Sequence, residues 1–235
     1  MIGKGADGFG AVWAAQKVPD GHMCAHANQA RIRYIFQEPK DTVFYSDDVV
    51  TFAIQKGLYS PAKSGDYSDF SFSDVYDPLT FVGSRSGEAR VWSIFSKVTP
   101  EEMNFQEKYY GYAFGKDLKN RMPFSVPVKK KLKVQDLMNF MRDKHYNTPL
   151  NMTSDVGAGT WQNAFRDRPL TWSFQNETYI NERTVGTQQT GWHFVANMRK
   201  HLPNHVGGVF WFGVDDATFS VHIPFYPYAE VPPAP

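Results

Sequence analysis

His22-Met23-Cys24-Ala25-His26 places three soft-metal ligand types within five residues, the densest chemical cluster in the chain. Zinc takes such ligands, but it requires a fourth protein ligand or an open catalytic position, and no second ligand pair at metal spacing accompanies this one. Packed or hydrogen-bonded strand histidines are the simpler reading, with Cys24 a small buried side chain that nothing nearby activates. Gly3-Lys4-Gly5-Ala6-Asp7-Gly8-Phe9-Gly10 fits the G-x-G-x-x-G pattern, yet a phosphate-binding loop needs a strand before it and a helix after it. Here a strand follows, and the remaining kinase signatures are missing, so a flexible turn is expected. Lys129-Lys130-Lys131-Leu132-Lys133 reads as a solvated edge. Asn151-Met152-Thr153 and Asn176-Glu177-Thr178 are glycosylation sequons that matter only in a secreted eukaryotic protein. No Ser/His/Asp order, nucleophile elbow or His-Glu-x-x-His motif is present. Spacing alone yields no catalytic centre.

The elements that must carry these residues are short. Aromatic residues reach 16%, with 18 Gly and 15 Pro in 235 residues, a mixture suited to strands and turns more than to a helical bundle. A net charge of +1 gives no reason to expect nucleic acid, no apolar run is long enough for a membrane span, and one cysteine excludes a disulfide framework. Residues 11–18 read as a strand ended by Pro19-Asp20-Gly21, and residues 22–32 as its hairpin partner, with His22, Cys24, His26 and Asn28 on one face. A helix is expected over 47–56, capped by Ser46 and stopped by Gly57, with Val50, Ala53 and Ile54 inward. A second should start at Thr99-Pro100-Glu101-Glu102, with Glu102 completing a capping box. A third should run from Val134 to His145. Residues 147–168 read as a long surface excursion. From Thr184 onward an antiparallel meander is expected, through 194–199, 207–214 and 219–226.

Gly10-Ala11-Val12-Trp13-Ala14-Ala15-Gln16-Lys17-Val18-Pro19-Asp20-Gly21, running into Ala25-His26-Ala27-Asn28-Gln29-Ala30-Arg31-Ile32, resembles the PepD-type dipeptidases. These are cysteine peptidases of the N-terminal-nucleophile superfamily, with secernins as relatives. The likeness continues through Phe52 to Tyr59 and Ala89-Arg90-Val91-Trp92, and returns in Leu202 to Asp215 and Ile223-Pro224-Phe225-Tyr226. It covers nearly the whole chain in order, as a single domain over 1–235.

The resemblance implies an α+β fold, an αββα sandwich of two antiparallel sheets between helices. It implies hydrolysis of dipeptide bonds by a cysteine at the mature N-terminus, whose own α-amine serves as base, without metal or cofactor. In the family the Trp-x-Ala-x-x-Val-Pro-Asp-Gly motif lies well downstream of that cysteine, whereas here it begins at Trp13. Met1 is no nucleophile and Cys24 has no free amine. The segment bearing the nucleophile is therefore expected to lie outside this sequence, the fold to be incomplete at its N-terminus and the C-terminus clipped, so that the chain alone is inactive. Such a cut would leave a strand edge and apolar faces uncovered.

Asn28 matches the asparagine that superfamily relatives aim at the oxyanion, against the plain reading of a turn or strand-edge residue. Arg90 matches an active-site arginine that steadies the thiolate or the substrate carboxylate. Arg85 competes for that role, an ordinary salt bridge being the alternative for both, and Arg31 is a candidate substrate contact. A dipeptide or small amide is the expected partner, with a homo-oligomer left open. An acylase or bile-salt-hydrolase-like amide hydrolase and a non-catalytic secernin-like interaction protein are the rival functions. The cytoplasm is the favoured compartment, secretion staying open.

Overall fold

A computed structural model describes residues 11–166 and 171–230, which form short antiparallel sheets and helices in two compact units, Met1–Lys129 and Lys130–Pro235. The glycine-rich segment at residues 3–10 and the terminal Val231–Pro235 lie outside the described residues.

In the first unit, β1 (Ala14–Gln16) pairs antiparallel with β3 (Val43–Tyr45), Ala14 opposite Tyr45 and Gln16 opposite Val43. β2 (His22–Cys24) pairs instead with β4 (Ser125–Pro127), His22 opposite Pro127. The expected hairpin between residues 11–18 and 22–32 is therefore not formed. Gly21, at φ 76°, turns the chain off the β1 edge, and its carbonyl instead accepts from Val128 N–H (3.0 Å). The strand alternation stops at Cys24, where the ladder with β4 ends opposite Ser125, and Asn28 further on adopts a left-handed φ of 55°.

α1 (Val49–Gln55) stops at Gly57, whose φ of 68° is the left-handed exit expected there. Its buried residues are Val49, Val50 and Ala53, and Ile54 is exposed. Ser46 does not cap it: its hydroxyl accepts from Trp13 N–H (3.2 Å), tying β1 to the residue after β3. α1 packs into a core of Ile35, Val43, Val49, Val50, Ala53 and Phe70. α2 (Phe72–Tyr76) follows, and then α3 (Phe81–Gly83) runs through a π-helical turn, Ser84–Glu88, into α4 (Ala89–Val98). Residues 101–103 make only a 3-10 turn with no side-chain cap, so Glu102 completes no box. α5 (Phe105–Ala113) starts after Asn104, whose φ is 43°. α4 and α5 pack through Phe95 against Phe105 (centroids 5.7 Å apart) and through Trp92 Nε1, which donates to Gln106 O (2.9 Å).

In the second unit, α6 (Val134–Met141) opens with Asp136 accepting from Lys133 N–H (2.8 Å). It ends before His145, which takes a φ of 59°. Arg142 is drawn off the helix by Ala217 O (2.8 Å), and Lys144 is buried against Gly186 O (2.6 Å). The segment after it is held inward at several points rather than lying wholly on the surface. Leu150, Met152 and Ala158 are buried, and Arg166 Nη2 donates to Met152 O (2.9 Å). β5 (Thr171–Phe174) and β6 (Glu177–Ile180) form a hairpin whose turn residues Gln175 and Asn176 both have positive φ.

The expected meander is present. β7 (Trp192–Met198), β8 (Gly208–Val214) and β9 (Ile223–Phe225) make one antiparallel sheet in that order, with a short α7 (Asn204–Gly207) before β8. One face buries His193, Val195 and Val209. The other is exposed and aromatic: Phe194 stacks on Phe210 (4.4 Å), and Trp192 on Phe194 (5.7 Å). No helix among the described residues is long and apolar enough to cross a membrane.

Candidate functional site

The loop after β2 is shaped around Asn28. Few residues other than glycine tolerate its left-handed backbone, and asparagine is the commonest of them. The next two residues clamp the loop: buried Gln29 donates from Nε2 to Asp77 O (2.6 Å), and Ala30 N–H donates to Asp77 Oδ2 (2.6 Å). The α3–α4 stretch lies directly against the loop because its glycines permit it. A Cβ on Gly87 would stand 2.7 Å from Ala27 O, and one on Gly83 would stand 2.4 Å from Gln29 Oε1. The widened π turn Ser84–Glu88 falls at this approach, and such turns are frequent at functional sites.

Immediately after that turn stands Arg90. Its Nε donates to Ser86 O (2.7 Å), and its Nη2 donates to Asn28 Oδ1 (2.8 Å), with Ala27 O at 3.5 Å. Asn28 is exposed. The structure thus brings together two of the four residues singled out in the sequence, 62 positions apart.

Neither of the other two is hydrogen-bonded to Asn28 among the contacts described, although Arg31 borders the pocket beside the loop. Arg31 is buried, its Nη1 paired with Glu88 Oε2 and its Nη2 donating to Pro123 O (2.6 Å). Tyr112 donates to the same Glu88 oxygen (2.8 Å), and burial together with the Glu88 charge raises the Tyr112 pKa. Arg85 lies over the Phe114 ring (4.2 Å), and burial lowers its pKa while Tyr110 acts in the opposite sense. Glu88, Tyr112, Gln29 and Asp77 were not found in the sequence. A buried arginine must find a carboxylate, so Glu88 had a signal of that general kind, whereas Tyr112 had none.

Beside the loop is a pocket of about 260 Å³, with Cys24, Ala25, His26, Ala30, Arg31 and Phe124 among its lining; Asn28 and Arg90 lie outside that lining. Burial pushes the Cys24 thiol up, outweighing the opposing pull of Arg31, so the resting form is the thiol and not the nucleophilic thiolate. His22 Nδ1 lies 3.1 Å from Ser125 Oγ. Among the described residues no group of three His, Cys, Asp or Glu side chains is placed to hold a metal. In the sequons, Asn151 Oδ1 accepts from Thr153 N–H (3.0 Å) and hydroxyl (2.9 Å), while Asn176 sits at a hairpin turn.

The second unit holds a larger concavity, about 800 Å³, with Phe165, Phe212, Phe219, Asp215 and Asp216 among its lining. Asp216 is held below its usual pKa despite burial, by Thr218 and then by Lys144 Nζ at 3.2 Å. Lys144 is lowered by burial, which outweighs Asp216. Nearby, the His193 and His222 rings lie 4.5 Å apart, and Arg142 Nη2 lies 3.3 Å from His222 Nδ1.

Comparison with known proteins finds relatives over most of the chain. The chain is 24% identical over 218 residues to a probable dipeptidase of Latilactobacillus sakei, and 24% over 222 residues to a probable dipeptidase of Salmonella dublin. Each alignment covers 93% of this chain but only 39% and 43% of those relatives, so the chain spans about two-fifths of their length. A family model, Peptidase family C69, matches residues 1–234. With that match running through both units, the chain belongs to peptidase family C69.

Proposed function

We propose that this chain supplies the oxyanion-binding portion of a dipeptidase that cleaves its substrate by thiol attack. Asn28 donates its amide N–H to the carbonyl oxygen as it becomes tetrahedral, and the attacking sulfur comes from an N-terminal cysteine outside these 235 residues. The observation that carries this reading is the Asn28–Arg90 hydrogen bond at an exposed loop beside a small pocket. Donors aimed at developing negative charge act where solvent is replaced by fixed dipoles, and removing one costs ~10²–10³ in rate. A pocket of about 260 Å³ is smaller than the ~300–1,000 Å³ sites of drug-sized ligands, which suits a dipeptide. Two features support an external thiol: Cys24 is the single cysteine and is held as the thiol, and more than half of each curated relative's length has no counterpart here. We read residues 1–235 as part of one catalytic domain of the αββα sandwich type, a reading supported by the family match and by the antiparallel pairing of the strands described.

Dipeptide release by the 235-residue chain and by the full-length gene product tests this. The full-length enzyme should turn over dipeptides in preference to acyl amides and lose activity to a thiol reagent. The isolated chain should be inactive, since losing a nucleophile costs ~10⁶ in kcat in a comparable triad. Turnover by the isolated chain, or a full-length sequence with no cysteine that processing could expose, would overturn the proposal.

A further inference from the structure

The geometry points to Arg90 as the residue that positions Asn28, turning its amide so that the N–H₂ group faces the open side as a ready oxyanion donor. This rests on the oxyanion reading of Asn28 and assigns a distinct role to its neighbour. Arginine carries only donors, so whichever end of the amide faces the guanidinium must be the carbonyl oxygen. Arg90 Nη2 lies 2.8 Å from Oδ1, and this contact fixes the amide's orientation by chemistry alone. An exposed asparagine without such a partner would sample both orientations, one of which turns an acceptor toward the developing oxyanion. The guanidinium is itself held by Ser86 O (2.7 Å) at the π turn, and Gly87 lets that turn approach the loop. A charged donor on Oδ1 also draws electron density from the amide and strengthens the opposite N–H as a donor.

Arg90 is therefore a positioning residue, acting on the reaction through Asn28 and not by gripping the substrate carboxylate. The test is a double-mutant cycle in the full-length enzyme with a dipeptide substrate, folding being checked by thermal melts. N28D keeps the shape and the contact with Arg90 but loses the N–H donor, and kcat should fall ~10²–10³. N28G removes the side chain while tolerating the left-handed backbone and should fall as far. R90M should lower kcat about tenfold or more with KM little changed, R90K should recover part of that loss, and N28G/R90M should be no worse than N28G, because both act through one donor. If N28G and N28D leave kcat intact, the oxyanion reading fails and this inference with it. If they lower kcat while R90M raises only KM, or if the N28G and R90M losses multiply, the oxyanion reading stands and the positioning role is refuted.

Discussion

Arg31 and Glu88 form an ion pair with side chains only 4% and 1% exposed, and its removal has a calculable cost. In R31M the methionine refills most of the space over Phe95, which the guanidinium carbon now covers at 5.4 Å. The Glu88 carboxylate is then left buried with Tyr112 as its donor, and its Oε1 has no hydrogen-bond partner even in the intact pair. Breaking a buried pair by removing one partner costs about 3–5 kcal/mol. For a chain of this length that corresponds to a fall in melting temperature of roughly 6–20 °C, at about 2–4 °C per kcal/mol. The double variant R31M/E88Q leaves no uncompensated charge and should recover most of the loss, so that it is more stable than the two single losses added together. Thermal and urea unfolding of the 235-residue chain read this without any activity. If R31M melts within about 2 °C of the parent, or if R31M/E88Q is worse than the sum of its parts, the pair does not hold the first unit together. Arg31 would then be open to a role at the substrate.

Three further outcomes follow from neighbouring geometry. G87A places a Cβ 2.7 Å from Ala27 O, so the loop must shift; it should cost about 1–3 kcal/mol in stability and, in the full-length enzyme, lower kcat by displacing Asn28. A G87A enzyme with wild-type kcat would show that the loop position is not critical. His193 and His222 are both held below their ordinary value of 6.5 by burial; Arg142 adds to this in both, and His193 adds to it in His222, while Asp216 opposes it in His193. Below about pH 6.5 the unfolded chain binds more protons than the folded one, so their contribution is complete above that value and lost as pH falls. Melting temperature followed from pH 8 to 5 should drop through this range, less so in H222Q, and a flat profile would refute the effect. Cys24, kept as the thiol, should react slowly with iodoacetamide at pH 7, and C24S in the full-length enzyme should keep its thiol-dependent turnover, with any change falling on KM because the side chain lines the pocket; loss of all turnover in C24S would refute the external thiol.

How far the sequence reveals this molecule depends on how far apart its partners lie. The strands β7, β8 and β9 are neighbours in sequence joined by short connections, and their alternation and turns could be read directly. The helix stop at Gly57 could also be read, because it depends only on the local backbone. The pairing of β2 could not. Pro19-Asp20-Gly21 is an ordinary hairpin signal, and nothing local states that His22–Cys24 will instead meet Ser125–Pro127. Ser46 fails as a cap for a similar reason. Its hydroxyl competes for two donors, and the distant one, Trp13 N–H, takes it. Likewise α6 looks longer in sequence than it is, because the burial of Lys144 and the bonds of Arg142 to residues more than 70 positions away are tertiary facts.

At the site the same limit has a chemical consequence. Strand periodicity put Asn28 on one face with His22, Cys24 and His26, a placement that would have fixed its side chain by pleating. The structure takes it off the strand through a left-handed backbone, where nothing in its own segment orients the amide. In the proposed role of oxyanion donor the amide needs a fixed direction, and that orientation must come from elsewhere in the fold. Arg90 is legible as a charged residue, but its use is not, since its partner lies 62 positions away and is reached only because Gly83 and Gly87 carry no side chain. Of the two, G87A should be the more damaging to kcat, because its Cβ meets the Ala27 carbonyl at 2.7 Å whereas that of G83A meets only the movable end of the Gln29 side chain at 2.4 Å; equal kcat losses in the two variants would refute the link between the loop backbone and Asn28.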